Sequence, residues 1–383
     1  MNILHITAWW PSRMHPHHGN FIQKHVRLVA RDHEVVVATV QEDQNLAYGK
    51  QERFQSFEDG YRVVQVYYGR PPHTNQLANL WSRARAYRQA MSIARRYLGK
   101  PDLIHSHIVV DGGILGGLLA LRWGVPFVIS EHATRYLMPT KLPLLKARLA
   151  RWVCRRARFV LPVSVALREG MRTYGLRANY RVISNVVDTE LFRPLPAAVA
   201  RETFTFLHVS NFREGHKNIS GLLSSFARVV AQTDRAVHLH LAGDGDVASV
   251  RQQVRSCGLH DVCTVSGPHT EVGIARHMQH AQAFVLFSNY ETQGVVLMEA
   301  LASGLPCITT KVGGAAEIIQ DGVNGYTVAA GDVEGLSQAM IALLRHPERF
   351  VPATLREQAV TQYSTEAVRR QLAAVYSTTQ TDR

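Results

Sequence analysis

The sequence predicts an α/β protein built from two doubly wound, Rossmann-like domains with parallel sheets. Three observations carry this. Short strand-like runs alternate with longer helical patterns along nearly the whole chain. The alternation breaks once, over 185–202, where Pro194, Pro196 and short charged turns replace it. The strand pattern then restarts at Phe204, and 383 residues suffice for two or three domains that each bury a core.

In the first half, strands are expected at 3–7, 34–40, 62–67, 103–107, 127–130, 159–162 and 181–183, with helical periodicity over 21–31, 80–98 and 114–123. In the second half, strands are expected at 204–209, 238–242, 263–265, 283–287, 307–309 and 326–328, and a last periodic stretch, 365–376, reads as a terminal helix. The expected domains are therefore 1–190 and 200–364, with 365–383 as a helix and tail packing back toward the first domain. Ligands of such sheets bind beyond the carboxyl ends of the strands, so a cleft between the two facing domains is the expected site.

Composition narrows the class. With 46% hydrophobic and 19% charged residues the chain is globular. No window approaches twenty consecutive apolar residues, so no bilayer-spanning helix is expected. The start, Met1-Asn2-Ile3-Leu4-His5-Ile6, lacks a basic region before its apolar run and does not read as a signal peptide. Cys154, Cys257, Cys263 and Cys307 lack metal-ligand spacing and read as reduced core thiols, as expected of a cytoplasmic protein. The first strand leads into Trp9-Trp10-Pro11 without a Gly-x-Gly-x-x-Gly, which disfavours a dinucleotide oxidoreductase.

The net charge of +13 concentrates in two segments, 83–96 and 141–158. In the second, Leu144, Leu145, Leu149, Trp152 and Val153 alternate with cations at helical spacing. Such a helix can lie on anionic lipid headgroups, at the inner leaflet of a membrane, or pack its apolar side on its own sheet and solvate its charges. No nucleic-acid recognition motif accompanies the charge, and nucleic acid is not expected as a partner.

The densest signal runs from Ser288 to Glu317. The stretch 295–302 is apolar on every side except at Glu299, so it reads as a short buried helix, stopped by Gly304 and Pro306. An ionised carboxylate there costs several kcal/mol unless hydrogen-bonded. Glu291 stands in a polar loop with seven residues between it and Glu299, and Gly294 opens the helix. A helix N-terminus entered through glycine is a natural anion site. A buried acid, a loop acid and an anion-binding end describe a ligand pocket.

This segment resembles the signature of the retaining nucleotide-sugar glycosyltransferases of family four: paired glutamates, then Ala300, Ala302, Gly304 and Pro306, then Gly313, Gly314 and Glu317. The resemblance covers nearly the whole chain. It implies a GT-B fold, no catalytic metal and no cofactor beyond the donor, and a hexose-like sugar moved from a nucleoside diphosphate to a hydroxyl acceptor. It implies cell-envelope polysaccharide or glycolipid synthesis as the setting, and a sugar or lipid-linked acceptor. On this resemblance Glu291 and His107, the latter in Asp102-Leu103-Ile104-His105-Ser106-His107, position the donor hexose, and Glu299 takes the ribose hydroxyls. Lys217 and Arg213 neutralise the diphosphate, together with the amides of Thr292, Gln293, Gly294 and Val295. Gly19 opens the first helix beside substrate, and His132 serves the acceptor side. The base is expected near 267–272.

Three departures stand out. Thr292-Gln293-Gly294 replaces a common Gly-Phe-Gly, Gly19 is a single glycine where two are frequent, and Ser210-Asn211 replaces Gly-Arg. Asp244-Gly245-Asp246 has the letters of a metal motif but sits in the turn expected to support the nucleotide. An epimerase or phosphorylase of the same architecture, and a basic nucleic-acid binder, remain as alternatives, disfavoured by the glutamate pair.

Overall fold

The computed structural model describes residues 1–16, 18–70, 76–195 and 202–380. Of the expected connection over 185–202, Pro196 and the rest of 196–201 lie outside the described residues, as do His17 and the tail at 381–383. The chain divides into two compact units, one of Met1–Val163, Arg168–Ile183 and Arg369–Arg383, the other of Ser164–Leu167 and Ser184–Val368.

The first unit follows the order β1 (Asn2–Thr7), α1 (Asn20–Ala30), β2 (Glu34–Glu42), β3 (Gln51–Glu58), β4 (Tyr61–Tyr68), α2 (Gln76–Leu98) and β5 (Leu103–His107). A π-helical turn, Ile108–Gly113, leads into α3 (Ile114–Trp123), then β6 (Phe127–Glu131), α4 (Leu144–Arg156), β7 (Phe159–Pro162) and α5 (Val165–Thr173). The sheet order is β3-β4-β2-β1-β5-β6-β7. The chain winds outward from β1 to β2 on one side and returns to β5 on the other, so the winding reverses between β1 and β5.

Two expectations change here. β3 is an additional edge strand, antiparallel to β4 in an otherwise parallel sheet. Its mostly exposed sequence, Gln-Glu-Arg-Phe-Gln-Ser-Phe-Glu, carries no apolar run. The hairpin signal was Asp59-Gly60, both at positive φ (46° and 85°), the chemistry that a tight two-residue turn requires. The strand expected at 181–183 does not form. Arg181 and Ile183 N–H groups donate to Val160 and Pro162 carbonyls, but only a single bridge, Val160 to Tyr180, is made. Pro162 has no N–H to return the next bond, so the ladder stops.

The second unit contains β8 (Phe204–Ser210), α6 (Glu214–Lys217), α7 (Ile219–Gln232), β9 (Val237–Gly243), α8 (Val247–Ser256), β10 (Cys263–Ser266), α9 (Glu271–His280) and β11 (Ala283–Leu286). It continues through α10 (Val295–Ala302), β12 (Cys307–Thr310), α11 (Ala315–Ile318), β13 (Gly325–Val328), α12 (Val333–Arg345) and α13 (Pro352–Tyr363). The sheet is parallel throughout, ordered β10-β9-β8-β11-β12-β13, and its winding reverses between β8 and β11. Phe204, Phe206, Phe226, Phe284 and Phe287 are fully buried in its core. Cys154, Cys263 and Cys307 are buried as expected, but Cys257 is exposed, because it ends α8 as its C-cap instead of facing the core. The last helix, α14 (Thr365–Gln380), groups with the first unit from Arg369 onward. There Arg369 pairs with Asp32 at 2.6 Å, and Tyr376 is buried with its hydroxyl 2.6 Å from His105 Nδ1.

Candidate active site

Each sheet places candidate site residues where the winding reverses, the point at which loops diverge to opposite faces and leave a crevice for ligand. In the second unit, β8 ends at Ser210 and β11 at Leu286. The loop after β8 turns sharply through Phe212 (φ 52°), runs one helical turn, and leaves through Asn218 (φ 49°), whose side chain accepts from Gly221 N–H and caps α7. That turn delivers Lys217, which forms an ion pair with Glu291 from the loop after β11. Both are largely buried, at 16% and 11% side-chain exposure. Ser288 donates to the same Glu291 oxygen at 3.1 Å, and Thr310 on β12 donates to the Ser288 carbonyl. Glu291 is thereby fixed from two strands.

Three residues past Glu291, Gly294 adopts the left-handed conformation (φ 89°) and α10 starts at Val295. The first amides of α10 have no intrahelical acceptor and point out of its N-terminus. α10 spans the residues expected, with Glu299 buried at 7% exposure. Gln293 differs in kind: its side-chain oxygen accepts from Asn185 N–H and Nδ2 at 3.0 and 2.8 Å, and its Nε2 donates to Ser184 at 2.6 Å. That side chain is committed to holding 184–185. Thr292 offers its carbonyl to the Ser164 hydroxyl at 2.7 Å. Arg213 is exposed, and its guanidinium makes no hydrogen bond or ion pair among the described residues. Glu317 accepts from Val165 and Ala166 N–H at 2.9 and 2.6 Å, so it caps the first turn of α5 rather than facing a ligand. Asp246 accepts from Ser249 N–H and caps α8, which accounts for the second acid of Asp244-Gly245-Asp246.

In the first unit, the reversal point gathers histidines. His107 ends β5, fully buried, with Nε2 3.0 Å from His5 Nδ1. Its ring stacks on His105 (centroids 4.6 Å) and lies 6.0 Å from that of His132. Burial, reinforced by neighbouring imidazoles, holds His5 down to about 3 and both His105 and His107 well below the usual range, so all three are neutral. His105 uses both nitrogens, on Tyr376 and Ser130. His5, His105 and His107 are the one described group close enough to share a metal ion, but those two bonds occupy His105 and the stacked rings do not aim at a common point. Gly19 (φ 81°) opens α1; a Cβ there would lie 2.4 Å from the Trp9 carbonyl. Phe21, two residues on, packs on His132 at 4.6 Å, so the Gly19 turn and His132 share one wall.

Sequence reasoning missed Ser288, Thr310, His5 and Glu131. The Glu131 carboxylate accepts from Val109, His132 and Ala133 N–H at 2.7–2.8 Å, shaping the backbone on either side of the site. Burial outweighs these donors and pushes it up to about 7. An acid between two strand-end polar residues, Ser130-Glu131-His132, was the available signal.

Two family models match the chain: Glycosyltransferase Family 4 over residues 25–191 and Glycosyl transferases group 1 over residues 203–346. Among curated relatives, N-acetyl-alpha-D-glucosaminyl L-malate synthase of Bacillus anthracis is 27% identical over 288 residues, covering 72% of this chain and 74% of that protein. Phosphatidyl-myo-inositol mannosyltransferase of Mycobacterium leprae is 32% identical over 199 residues, 51% of this chain and 52% of that one. Of solved structures, sucrose-phosphate synthase from Thermosynechococcus elongatus superposes with a TM-score of 0.77 at 19% identity, over 100% of this chain and 99% of that one. Anabaena HepE in complex with UDP gives 0.74 at 20%, over 99% and 100%. At such identities the structural likeness shows the fold, which is GT-B. Fold, family matches and relatives together define a nucleotide-sugar glycosyltransferase. The chain belongs to glycosyltransferase family 4.

Proposed function

We propose that the protein transfers a hexose from a nucleoside diphosphate to a hydroxyl acceptor with retention of anomeric configuration, in the synthesis of an envelope polysaccharide or glycolipid. The observation that carries this reading is the Lys217–Glu291 pair beside the N-terminus of α10: a cation, a carboxylate and outward-pointing amides at one reversal point. Lys217, Arg213 and the amides around Gly294 and Val295 take the diphosphate, with the Thr292 and Gln293 backbone completing the loop. Glu299 takes the ribose hydroxyls, while Glu291 and His107 hold the hexose. In the reaction the bond from the anomeric carbon to the diphosphate breaks, the bond to the acceptor oxygen forms on the same face, and the departing diphosphate oxygen receives the acceptor's proton. Residues 200–364 serve the donor and 1–190 the acceptor, with Gly19 and His132 on the acceptor side and 365–383 completing the first domain.

Support for the donor class comes from relatives and neighbours: HepE is solved with UDP and with UDP-glucose, and lipopolysaccharide 1,6-galactosyltransferase of Escherichia coli is 28% identical over 211 residues. We further propose peripheral contact with an anionic membrane surface through 83–96 and 141–158, consistent with a lipid-linked acceptor. Among the described residues no helix is long and apolar enough to cross a membrane. Leu144 and Leu145 are 79% and 70% exposed at the start of basic α4, so this end of its apolar side is left unpacked.

The test is release of nucleoside diphosphate, measured chromatographically, from a panel of UDP-, GDP- and ADP-hexoses with sugar and lipid acceptors. Selective, acceptor-stimulated release is expected. Absence of release and of binding across the panel would reject the reading.

A further inference from the structure

A groove of about 1240 Å³ runs over the first unit between α2, α3 and α4, above the roughly 300–1,000 Å³ of an ordinary small-molecule pocket. Its floor is apolar, with Tyr87 and Met91 of α2 buried, while Leu80, Leu118 and Leu145 are 64%, 50% and 70% exposed along its walls. Apolar side chains left in water over three neighbouring helices mark a contact surface rather than a core. Just outside, Trp81 is 76% exposed, an aromatic of the kind that settles at a membrane interface.

The charge around this groove is predominantly positive. Six cations line it against a single carboxylate, Asp111, which lies 3.6 Å from Arg83. Arg95 stacks over Trp123 at 5.3 Å. Arg88, Arg96, Arg122 and Lys146 are exposed and make no ion pair among the described residues. An apolar trough with an uncompensated cationic rim complements an amphiphile: hydrocarbon below, anionic head at the edge.

We infer that the groove seats one acyl chain of an anionic bilayer phospholipid, with its phosphate among Arg88, Arg122 and Lys146. The inference deepens the peripheral-membrane reading above and rests on it. Electrostatic docking alone needs only the cations. Seating a chain adds an apolar contact that salt does not screen, and it ties α2, α3 and α4 to the bilayer in one orientation.

Dodecyl phosphate, below its micellar concentration, is the probe, read by thermal shift, with inorganic phosphate and dodecyl maltoside as controls. A shift of several degrees is expected for dodecyl phosphate, a smaller one for the maltoside and none for inorganic phosphate. Leu118→Glu, at a half-exposed position, is expected to abolish the shift, and Arg122→Glu to weaken the affinity about tenfold or more. Both variants are expected to keep wild-type nucleotide affinity, which shows that they fold. No shift with dodecyl phosphate, or an unchanged shift in Leu118→Glu, overturns the inference. Sedimentation with anionic vesicles separates the two readings. Binding at low salt without an amphiphile shift leaves electrostatic docking standing and removes the seated chain, and no vesicle binding removes both. A dimer in sedimentation velocity that Leu118→Glu dissociates would assign the groove to a second copy instead. Mass spectrometry of lipid retained by protein purified without detergent is expected to find phospholipid; a polyprenyl or sugar-bearing lipid alone would overturn the assigned source.

Discussion

Lys217 and Glu291, 74 residues apart in sequence, close on each other across the β8/β11 reversal point and neutralise one another. The two side chains carry different proposed tasks, one toward diphosphate and one toward hexose. On the proposed roles, a diphosphate entering the site would compete with Glu291 for the ammonium group, and the ion pair would hold Lys217 with its charge compensated until then.

Lys217→Ala is therefore expected to weaken nucleoside diphosphate binding by roughly 1.5–3 kcal/mol, the scale of a hydrogen bond to a charged group. Glu291→Ala is expected to do the opposite for the bare diphosphate, tightening or preserving its affinity while cutting sugar transfer. Calorimetry on both variants checks this. Equal losses would mean that the pair is only structural.

The architecture was legible because β-strands buried on both faces read as apolar runs, as in 283–287, and the helices between them keep their period, as in 21–31. What escaped was set by partners distant in sequence. Gln293 looks like a loop amide, and nothing local reveals that Asn185 and Ser184 occupy its side chain. Glu317 looks like an acid in the first turn of α11, yet its oxygens cap α5. β3 escaped for another reason: an exposed edge strand needs no apolar face, and only its turn announces it.

The two site glycines are expected to differ in their tolerance of a methyl group. Gly294→Ala puts a residue in the left-handed region at a cost of about 1–2 kcal/mol, with its nearest contact a side-chain atom, Leu297 Cδ1, at 3.1 Å. Gly19→Ala adds a backbone clash at 2.4 Å from the Trp9 carbonyl, worth roughly 1–3 kcal/mol more. Urea denaturation should rank Gly19→Ala as clearly the less stable. Equal stabilities would show that the Gly19 turn yields.

Retention is expected at the anomeric carbon, because the segment around Glu291 and Glu299 resembles that of the retaining enzymes of the family and the proposed scheme passes the acceptor's proton to the departing diphosphate on the same face. Proton NMR of early product made from an α-linked donor should show an α-glycoside. A β-glycoside would refute the same-face scheme and reassign Glu291 or His107.

Acid should destabilise the fold through histidine burial. His5 is held down to about 3 by burial and then by the charges of His25 and His33, and burial holds His208 down to about 4. Below the ordinary value of 6.5 the unfolded chain takes up protons that the folded chain refuses, so this stability is present above 6.5 and lost as pH falls toward 4. Each such histidine contributes a slope of about 1.4 kcal/mol per pH unit in that window. Glu131 runs the other way: burial raises it to about 7, so the folded chain keeps its proton from the unfolded value upward and stability is lost as pH rises through 7. One acid opposes several histidines, and the net urea midpoint is expected to fall from pH 7.5 to 5. Glu131→Gln should steepen that fall, and His208→Asn should shallow it even though it removes the hydrogen bonds to Val285 and Ser210 and lowers stability at every pH. A midpoint that is flat between pH 7.5 and 5, or a slope that neither variant alters, would mean that these groups are hydrated in solution and that the reversal points of both sheets are open to water.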